Sequence, residues 1–174
     1  MRGMARGAGL AVLRVRKATL RDVRLMAELE RSCFDEGYPE SLLAYFVMND
    51  ERFICLLAEL GGIAVGMAIG ELEEEGLKAV GHVWTIEVLA PYRRRGIGER
   101  LLRELEERLR ARGAVEFHLE VKVGNEPAIR LYEKMGYIKV GILRDYYGPG
   151  QDGIFMVKHL GPGEGPSKWS CGAC

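Results

Sequence analysis

Residues 81–112 read GHVWTIEVLAPYRRRGIGERLLRELEERLRAR: an apolar stretch, a basic and glycine-rich turn, then leucines set into a run of charges. Gly81 to Leu89 reads as a strand. Ile97, Leu101, Leu105 and Leu109 recur every four residues and give one apolar stripe to a helix from Gly96 to Arg112, which Gly113 ends. Glu99–Arg103, Glu104–Arg108 and Glu106–Arg110 set Glu before Arg on its exposed sides, each pair adding about 0.3–0.5 kcal/mol. A strand that feeds straight into a helix leaves free N–H groups at the positive end of a dipole. Gly96 and Gly98 remove side chains from that end, and Arg93, Arg94 and Arg95 add charge, a combination suited to a diphosphate. RxxGxG alone would equally describe an ordinary basic turn. A Walker loop is excluded because no Gly-Lys-Ser/Thr follows, and the spacing is not the GxGxxG of a dinucleotide site.

Outward toward the C-terminus, Val115 to Val123 reads as a strand and Asn125 to Met135 as a helix, with Pro127 in its first turn and Gly136 as its stop. Tyr137–Leu143 and Ile154–Leu160 are strands around the polar loop Asp145–Gly153. Toward the N-terminus, Leu13–Ala18 alternates as a strand, and Thr19 caps a helix to Ser32 with Asp22 as its acidic partner. Ser41–Val47 is a short helix. Arg52–Leu60 and Ile63–Leu72 form a hairpin at Gly61-Gly62. Glu73-Glu74-Glu75-Gly76 reads as a solvated acidic turn. The order is β-α-α-β-β-β-α-β-α-β-β. Short links allow antiparallel pairing at first, and the βα units between residues 80 and 140 demand a parallel crossover. The expected fold is α/β (α+β): a mixed, mostly antiparallel sheet of about seven strands with helices on both faces.

The chain has 174 residues, enough for one domain, and 25 basic residues balance 25 acidic ones. That balance gives no reason to expect nucleic acid or an anionic membrane. Leu56–Gly70 is broken by Glu59 and four glycines, so no membrane span is expected, and Ala8–Leu13 is too short for a signal peptide. Cys33 and Cys55 lie in apolar surroundings and read as reduced core thiols of a cytoplasmic protein. The lone pair Cys171 and Cys174 cannot complete a four-ligand zinc site, and no metal is expected. The expected organisation is a disordered N-terminus over 1–11, a domain over 12–160, and a disordered Gly/Pro-rich tail over 161–174.

Val88-Leu89-Ala90-Pro91-Tyr92-Arg93-Arg94-Arg95-Gly96-Ile97-Gly98, followed by Leu101-Leu102, resembles the acetyl-CoA motif Q/RxxGxG/A of the GNAT superfamily. Asn125 to Tyr137 (NEPAIRLYEKMGY) resembles its second segment, and the element order is similar over residues 12–160. Within the superfamily the chain resembles the N-terminal acetyltransferases of the bacterial ribosomal-protein and archaeal NatA types. Asp35-Glu36-Gly37-Tyr38-Pro39 resembles PENYP/Q, Gly81-His82-Val83 with Ile86-Glu87-Val88 resembles GHVxSIAV, and Tyr146 to Asp152 resembles YYADGEDA. Gly37, Glu87, Pro149 and Gln151 depart from those patterns, which bears on peptide preference more than on the reaction. The resemblance implies a splayed fourth and fifth strand, acetyl-CoA as cosubstrate, and direct attack by a protein's N-terminal α-amine. The substrates implied are protein N-termini, ribosomal or otherwise nascent, and an auxiliary subunit stays open. The rival readings are acetylation of a lysine or small amine, and a non-catalytic acyl-CoA-binding module.

An α-amine has a pKa of about 7.7–8.0 against about 10.4 for lysine, so a modest base suffices. His82 and Glu120 are the candidates, acting through a water. Alternation puts Phe117, Leu119 and Val121 on one face and His118 and Glu120 on the other. Without the resemblance His82 would read as a satisfied strand histidine, and Glu120 as a cross-strand partner of Lys122 or an arginine. Glu36 is read as a substrate-positioning or auxiliary acid/base residue, though loop solubility alone accounts for it. By the resemblance Tyr132 protonates the leaving thiolate; by itself it reads as a core tyrosine. The resemblance also implies that Ile86, Glu87 and Val88 would pair with the pantetheine arm, that the Val88 N–H would meet the oxyanion, and that Arg93, Arg94, Arg95, Gly96, Ile97, Gly98 and Glu99 would hold the diphosphate. Asn125 contacts the arm or caps its helix. Glu36 and Tyr38 on one side, and Tyr146 and Tyr147 on the other, are expected to flank the peptide, though the tyrosine pair would also suit the surface of a hairpin.

Overall fold

Seven strands form one sheet in the computed structural model, which describes residues 12–34 and 37–161. The elements are β1 (Leu13–Lys17), α1 (Val23–Cys33), α2 (Glu40–Met48), β2 (Phe53–Leu60), β3 (Ile63–Glu75), β4 (Lys78–Val88), α3 (Ile97–Ala111), β5 (Ala114–Lys122), α4 (Glu126–Lys134), β6 (Ile138–Leu143) and β7 (Gly153–His159). The sheet order is β1-β2-β3-β4-β5-β7-β6. Only β4 and β5 run parallel; every other neighbouring pair is antiparallel. The crossover through α3 therefore sets β4 beside β5. The one through α4 carries β6 a strand further, and β7 returns to fill the gap. This is the mixed sheet that the pattern predicts. The segment 1–11, the tail from residue 162 with Cys171 and Cys174, and Asp35 and Glu36 lie outside the described residues. Among the described residues no helix is long and apolar enough to cross a membrane.

Period-two alternation fills both faces. On β2, Ile54, Leu56 and Ala58 join Leu101, Leu105 and Leu109 of α3 in one core. Phe53, Cys55 and Leu57 join Met26 and Leu29 of α1 and Leu43 and Phe46 of α2 in the other. Ahead of α1, a 3-10 turn at Leu20–Asp22 carries the expected cap, in which the Asp22 carboxylate accepts from the Thr19 N–H and hydroxyl, each at 2.8 Å.

Two features differ from the sequence reading or sharpen it. The run Glu73–Gly76 is exposed from Glu74 onward, as expected, but Glu73–Glu75 is strand and not turn. β3 continues to Glu75 and pairs through Glu73↔Val80 and Glu75↔Lys78, so the reversal is confined to Gly76 and Leu77. The second feature is a bulge: Ile69 opposes Thr85 while Gly70 opposes Val83, which leaves Trp84 as the extra residue of β4. A bulge bends its strand. From there the parallel ladder, which runs from Ala79↔Ala114 to Val83↔Leu119, goes no further. The rest of β4 stays with β3, while Glu120, Val121 and Lys122 stay with β7. The sheet opens between them.

Candidate active site

The parted strands, the start of α3 and the face of α4 enclose a cavity of about 720 Å³. At its basic end Arg94 (φ 61°) and Gly96 (φ 77°) both take left-handed conformations. Such alternation turns successive amides toward one point, and the first N–H groups of α3 have no intrahelical acceptor. Gly98 is needed for space: a Cβ there would lie 3.3 Å from Leu131 Cδ2 of α4. Arg93 and Arg94 line the cavity. Arg93 also donates through Nε to the Val88 carbonyl at 2.8 Å, bracing the strand end against the turn. Arg95 has its guanidinium 5.6 Å from the centre of the Tyr92 ring. Along the stem, the Leu89 N–H is bonded to Val65 on β3 at 2.9 Å. By the alternation of an antiparallel ladder the amides of Val88 and Ile86 face the opposite way, into the gap. This edge can pair with an extended amide-bearing ligand whose far end carries a diphosphate.

A second cavity of about 610 Å³ continues from the first, and Phe34, Ile86, Asn125, Ala128 and Tyr132 line both. Tyr132 is buried, and burial pushes its hydroxyl up to about 12, so it stays protonated at neutral pH. Asn125 accepts from the Ala128 N–H at 3.4 Å and caps α4 while lining the junction. Glu120, Tyr38, Trp84 and Tyr147 wall the second cavity. Behind Glu120 lies His82, whose Nε2 is 2.9 Å from Glu120 Oε2 and whose Nδ1 is 3.1 Å from Glu73 Oε1. Burial alone would lower the His82 pKa, but its hydrogen bond to Glu120 and the charges of Glu120 and Glu73 carry it above the usual imidazole value. Burial would likewise raise the Glu120 carboxyl, but the hydrogen bond and charge of His82 hold it below the usual carboxylate value. The two directions agree on a charged pair.

A model of the acetyltransferase (GNAT) family matches residues 23–137. The chain belongs to that family. It is 36% identical over 156 residues to an N-alpha-acetyltransferase of Sulfurisphaera tokodaii, covering 84% of this chain and 93% of the relative. It is 34% identical over 126 residues to the ribosomal protein bS18 alanine N-acetyltransferase of Salmonella typhimurium, covering 70% of this chain and 81% of that one. The solved structure of Arabidopsis thaliana Naa50 with the bisubstrate analogue CoA-Ac-MVNAL superposes with a TM-score of 0.74 at 25% identity, over 85% of this chain and 99% of that one.

In this acetyltransferase most residues singled out from the sequence meet at the two cavities. Ile86, Glu87, Val88, Arg93, Arg94, Gly96, Ile97, Gly98, Glu99, Asn125 and Tyr132 line the first. Tyr38, Glu120 and Tyr147 line the second. Tyr146 packs edge-on against Tyr147, with ring centres 4.9 Å apart. Glu36 lies outside the described residues. Glu87 touches the cleft but turns its carboxyl to Thr85, whose hydroxyl donates at 3.0 Å, and to Glu30 of α1. Burial, then the hydrogen bond and charge of Glu30, push Glu87 up to about 9, so Glu87 holds its proton at neutral pH.

Three functional neighbours were missed in the sequence reading. Trp84 walls the second cavity, donates to Glu71 Oε2 at 2.8 Å and rests on Tyr38. Its place two residues after His82 was a readable signal for a shared face. Glu30 also lines this cavity and accepts from the Tyr38 N–H at 3.2 Å. Glu73 was hidden in the acidic run.

Proposed function

We propose that this acetyltransferase moves the acetyl group of acetyl-CoA onto the free α-amine of a protein N-terminus, by direct attack with both substrates bound. One observation carries the reading: Tyr132 stands where the two cavities join, and Glu120 faces the second from the opposite strand, with His82 behind it. The first cavity fits a coenzyme, with a nest of amides and arginines for the diphosphate and an unpaired strand edge for the arm. Acetyl-CoA supplies an activated thioester. The Val88 N–H, aimed into the gap, stabilises negative charge growing on the acetyl oxygen. Glu120 accepts the amine's proton through a water, and His82 stabilises and relays it. A free amine near pKa 8 demands no stronger base. The Tyr132 hydroxyl protonates the departing thiolate, whose own pKa is about 8.5.

Tyr38 and Tyr147 are assigned to the first residues of the peptide, with Tyr146 beside Tyr147, and Glu36, two positions before Tyr38 in the sequence, is kept as an auxiliary residue. The relatives named for N-terminal and ribosomal-protein alanine acetylation support protein N-termini, ribosomal or otherwise nascent, as the substrate class. The free thiols Cys33 and Cys55 support a cytoplasmic setting. The deciding experiment incubates the protein with acetyl-CoA and peptides that begin Ser, Ala, Met-Leu or Met-Glu and contain an internal lysine. Mass spectrometry should find the acetyl group on the first residue's nitrogen. Label confined to lysine side chains would reject the proposal.

A further inference from the structure

We propose that Glu73, His82 and His118 form a binding site for a divalent transition-metal ion, best matched by Zn²⁺, and that filling it arrests acetyl transfer. Three adjacent strands contribute one residue each. Glu73 comes from β3, His82 from β4 and His118 from β5, the two histidines standing directly opposite in the parallel register. One donor atom from each residue lies within 4.8 Å of the other two. Glu73 already spans the imidazoles: its Oε1 is 3.1 Å from His82 Nδ1 and its Oε2 is 3.3 Å from His118 Nε2. A tetrahedral ion with bonds of about 2.0–2.1 Å holds its ligand atoms about 3.3 Å apart; each imidazole stands at that spacing from one of the two Glu73 oxygens, and small side-chain rotations bring one donor of each residue from within 4.8 Å to that distance.

The surroundings favour a metal as well. The nitrogen of each imidazole that faces away from the centre looks at a carboxylate. His82 Nε2 is 2.9 Å from Glu120, and His118 Nδ1 is 4.0 Å from Glu75. A carboxylate hydrogen-bonded to the far nitrogen orients a metal-binding imidazole and raises its basicity, as Glu120 does for His82, while Glu75 stands beyond hydrogen-bond distance of His118. The Glu73 side chain is 28% exposed, which leaves an entry route and room for a water as fourth ligand. Two imidazoles and one carboxylate suit Zn²⁺ and its first-row neighbours; Mg²⁺ and Ca²⁺ prefer sets made of oxygen.

The consequence for catalysis rests on the function proposed above. An ion on His82 Nδ1 fixes the ring proton on Nε2, where it points at Glu120. With Nδ1 taken by the ion, the ring can no longer hand a proton from the Glu120 side on to Glu73. Metal and substrate proton compete for one ring, while the acetyl-CoA cavity, which none of the three ligands lines, is left intact.

The test uses the full chain with Cys171→Ser and Cys174→Ser, so that tail thiols do not compete, stripped of metal with a chelator. ZnCl₂ is titrated by calorimetry and CoCl₂ by visible absorption, and peptide acetylation is then followed against Zn²⁺. One ion per chain should bind, Co²⁺ should show a low-symmetry, four- or five-coordinate spectrum, and acetylation should fall as the site fills. His118→Asn and Glu73→Gln should each weaken Zn²⁺ binding by at least about tenfold. Metal-free His118→Asn should keep its acetylation rate within about twofold while its inhibition shifts with its affinity. Thermal melts confirm that both variants are folded. Absent binding, affinity unchanged in both variants, or a filled site with undiminished acetylation would overturn the proposal. If the stripped parent acetylates no peptide α-amine, the functional reading fails while calorimetry still reports on the metal site.

Discussion

Glu120 and Glu87 show how one environment, burial in a sheet, yields two opposite acids. Burial works against the charge of both. Glu120 meets an imidazole and stays ionised; Glu87 meets a second carboxyl and keeps a proton. The first difference predicts a kinetic result. Glu120→Gln removes the acceptor and leaves the coenzyme cleft untouched, so kcat for peptide acetylation should fall roughly 100-fold or more, with acetyl-CoA affinity unchanged by calorimetry. An equal loss of coenzyme affinity would make Glu120 structural. The second difference predicts a stability result of unusual sign. An unfolded glutamate titrates near 4.5, whereas folded Glu87 titrates near 9. Between those values the folded chain holds a proton that the unfolded chain has released, so this group's effect is to lower stability as pH rises, and the loss is complete above about 9. Glu87→Gln retains a donor toward Glu30 without the titration. Its melting temperature should exceed the parent's by several degrees at pH 8 and match it near pH 4.5. Equal melting at pH 8 would rule out the proton held on Glu87.

At the scale of elements, the turn between β4 and α3 is the proposed diphosphate site, and its backbone separates strain from charge. Gly96 has φ 77° with nothing within 4 Å of where a Cβ would sit. Gly96→Ala therefore adds conformational strain of about 1 kcal/mol and little else. Gly96→Glu adds the same strain and an anion facing the proposed diphosphate. Acetyl-CoA should bind Gly96→Glu at least about tenfold more weakly than Gly96→Ala, and equal affinities would refute the cradle. This turn was legible because its signals are local: a strand, two glycines and a four-residue leucine repeat identify it without tertiary knowledge. The alternation of β2 and β5 and the cap at Thr19 were legible for the same reason. The end of the β3–β4 hairpin was not. Glu73–Glu75 reads as a turn on composition, but it pairs as strand with Lys78–Val80, and Glu73 meets His82 and also His118, which only the parallel ladder brings near. Trp84 does share a side with His82, ring centres 5.4 Å apart, as the two-residue spacing allows. Glu30 stands in an ordinary helix, and only the packing of α1 on β4 gives it Glu87 as a partner.

For the whole molecule, the site lies where the sheet divides. β1 to β4 form one part and β5, β7 and β6 the other, joined by the lower half of the β4–β5 ladder and by α3 packed across both. A coenzyme in the gap would contact β4 on one side and α4 on the other, and so reconnect the two parts. At 100 times its dissociation constant such a ligand stabilises the fold by about 2.7 kcal/mol, a rise in melting temperature of roughly 5–11 °C for a chain of this size. Any tight ligand would do that, so the location of the effect is the sharper measurement. Along the end of β4 the backbone alternates: the Leu89 amide is tied to Val65 with or without coenzyme, whereas those of Ile86 and Val88 face the gap. Residue-resolved hydrogen exchange by NMR should find Leu89 protected in both states, and Ile86 and Val88 fast in the free protein and slowed with saturating acetyl-CoA. The odd–even contrast separates strand pairing by the ligand arm from general tightening, which would slow all three. If Val88 exchanges as fast in the complex as without it, the arm does not lie along β4, and the oxyanion role given to that amide goes with it.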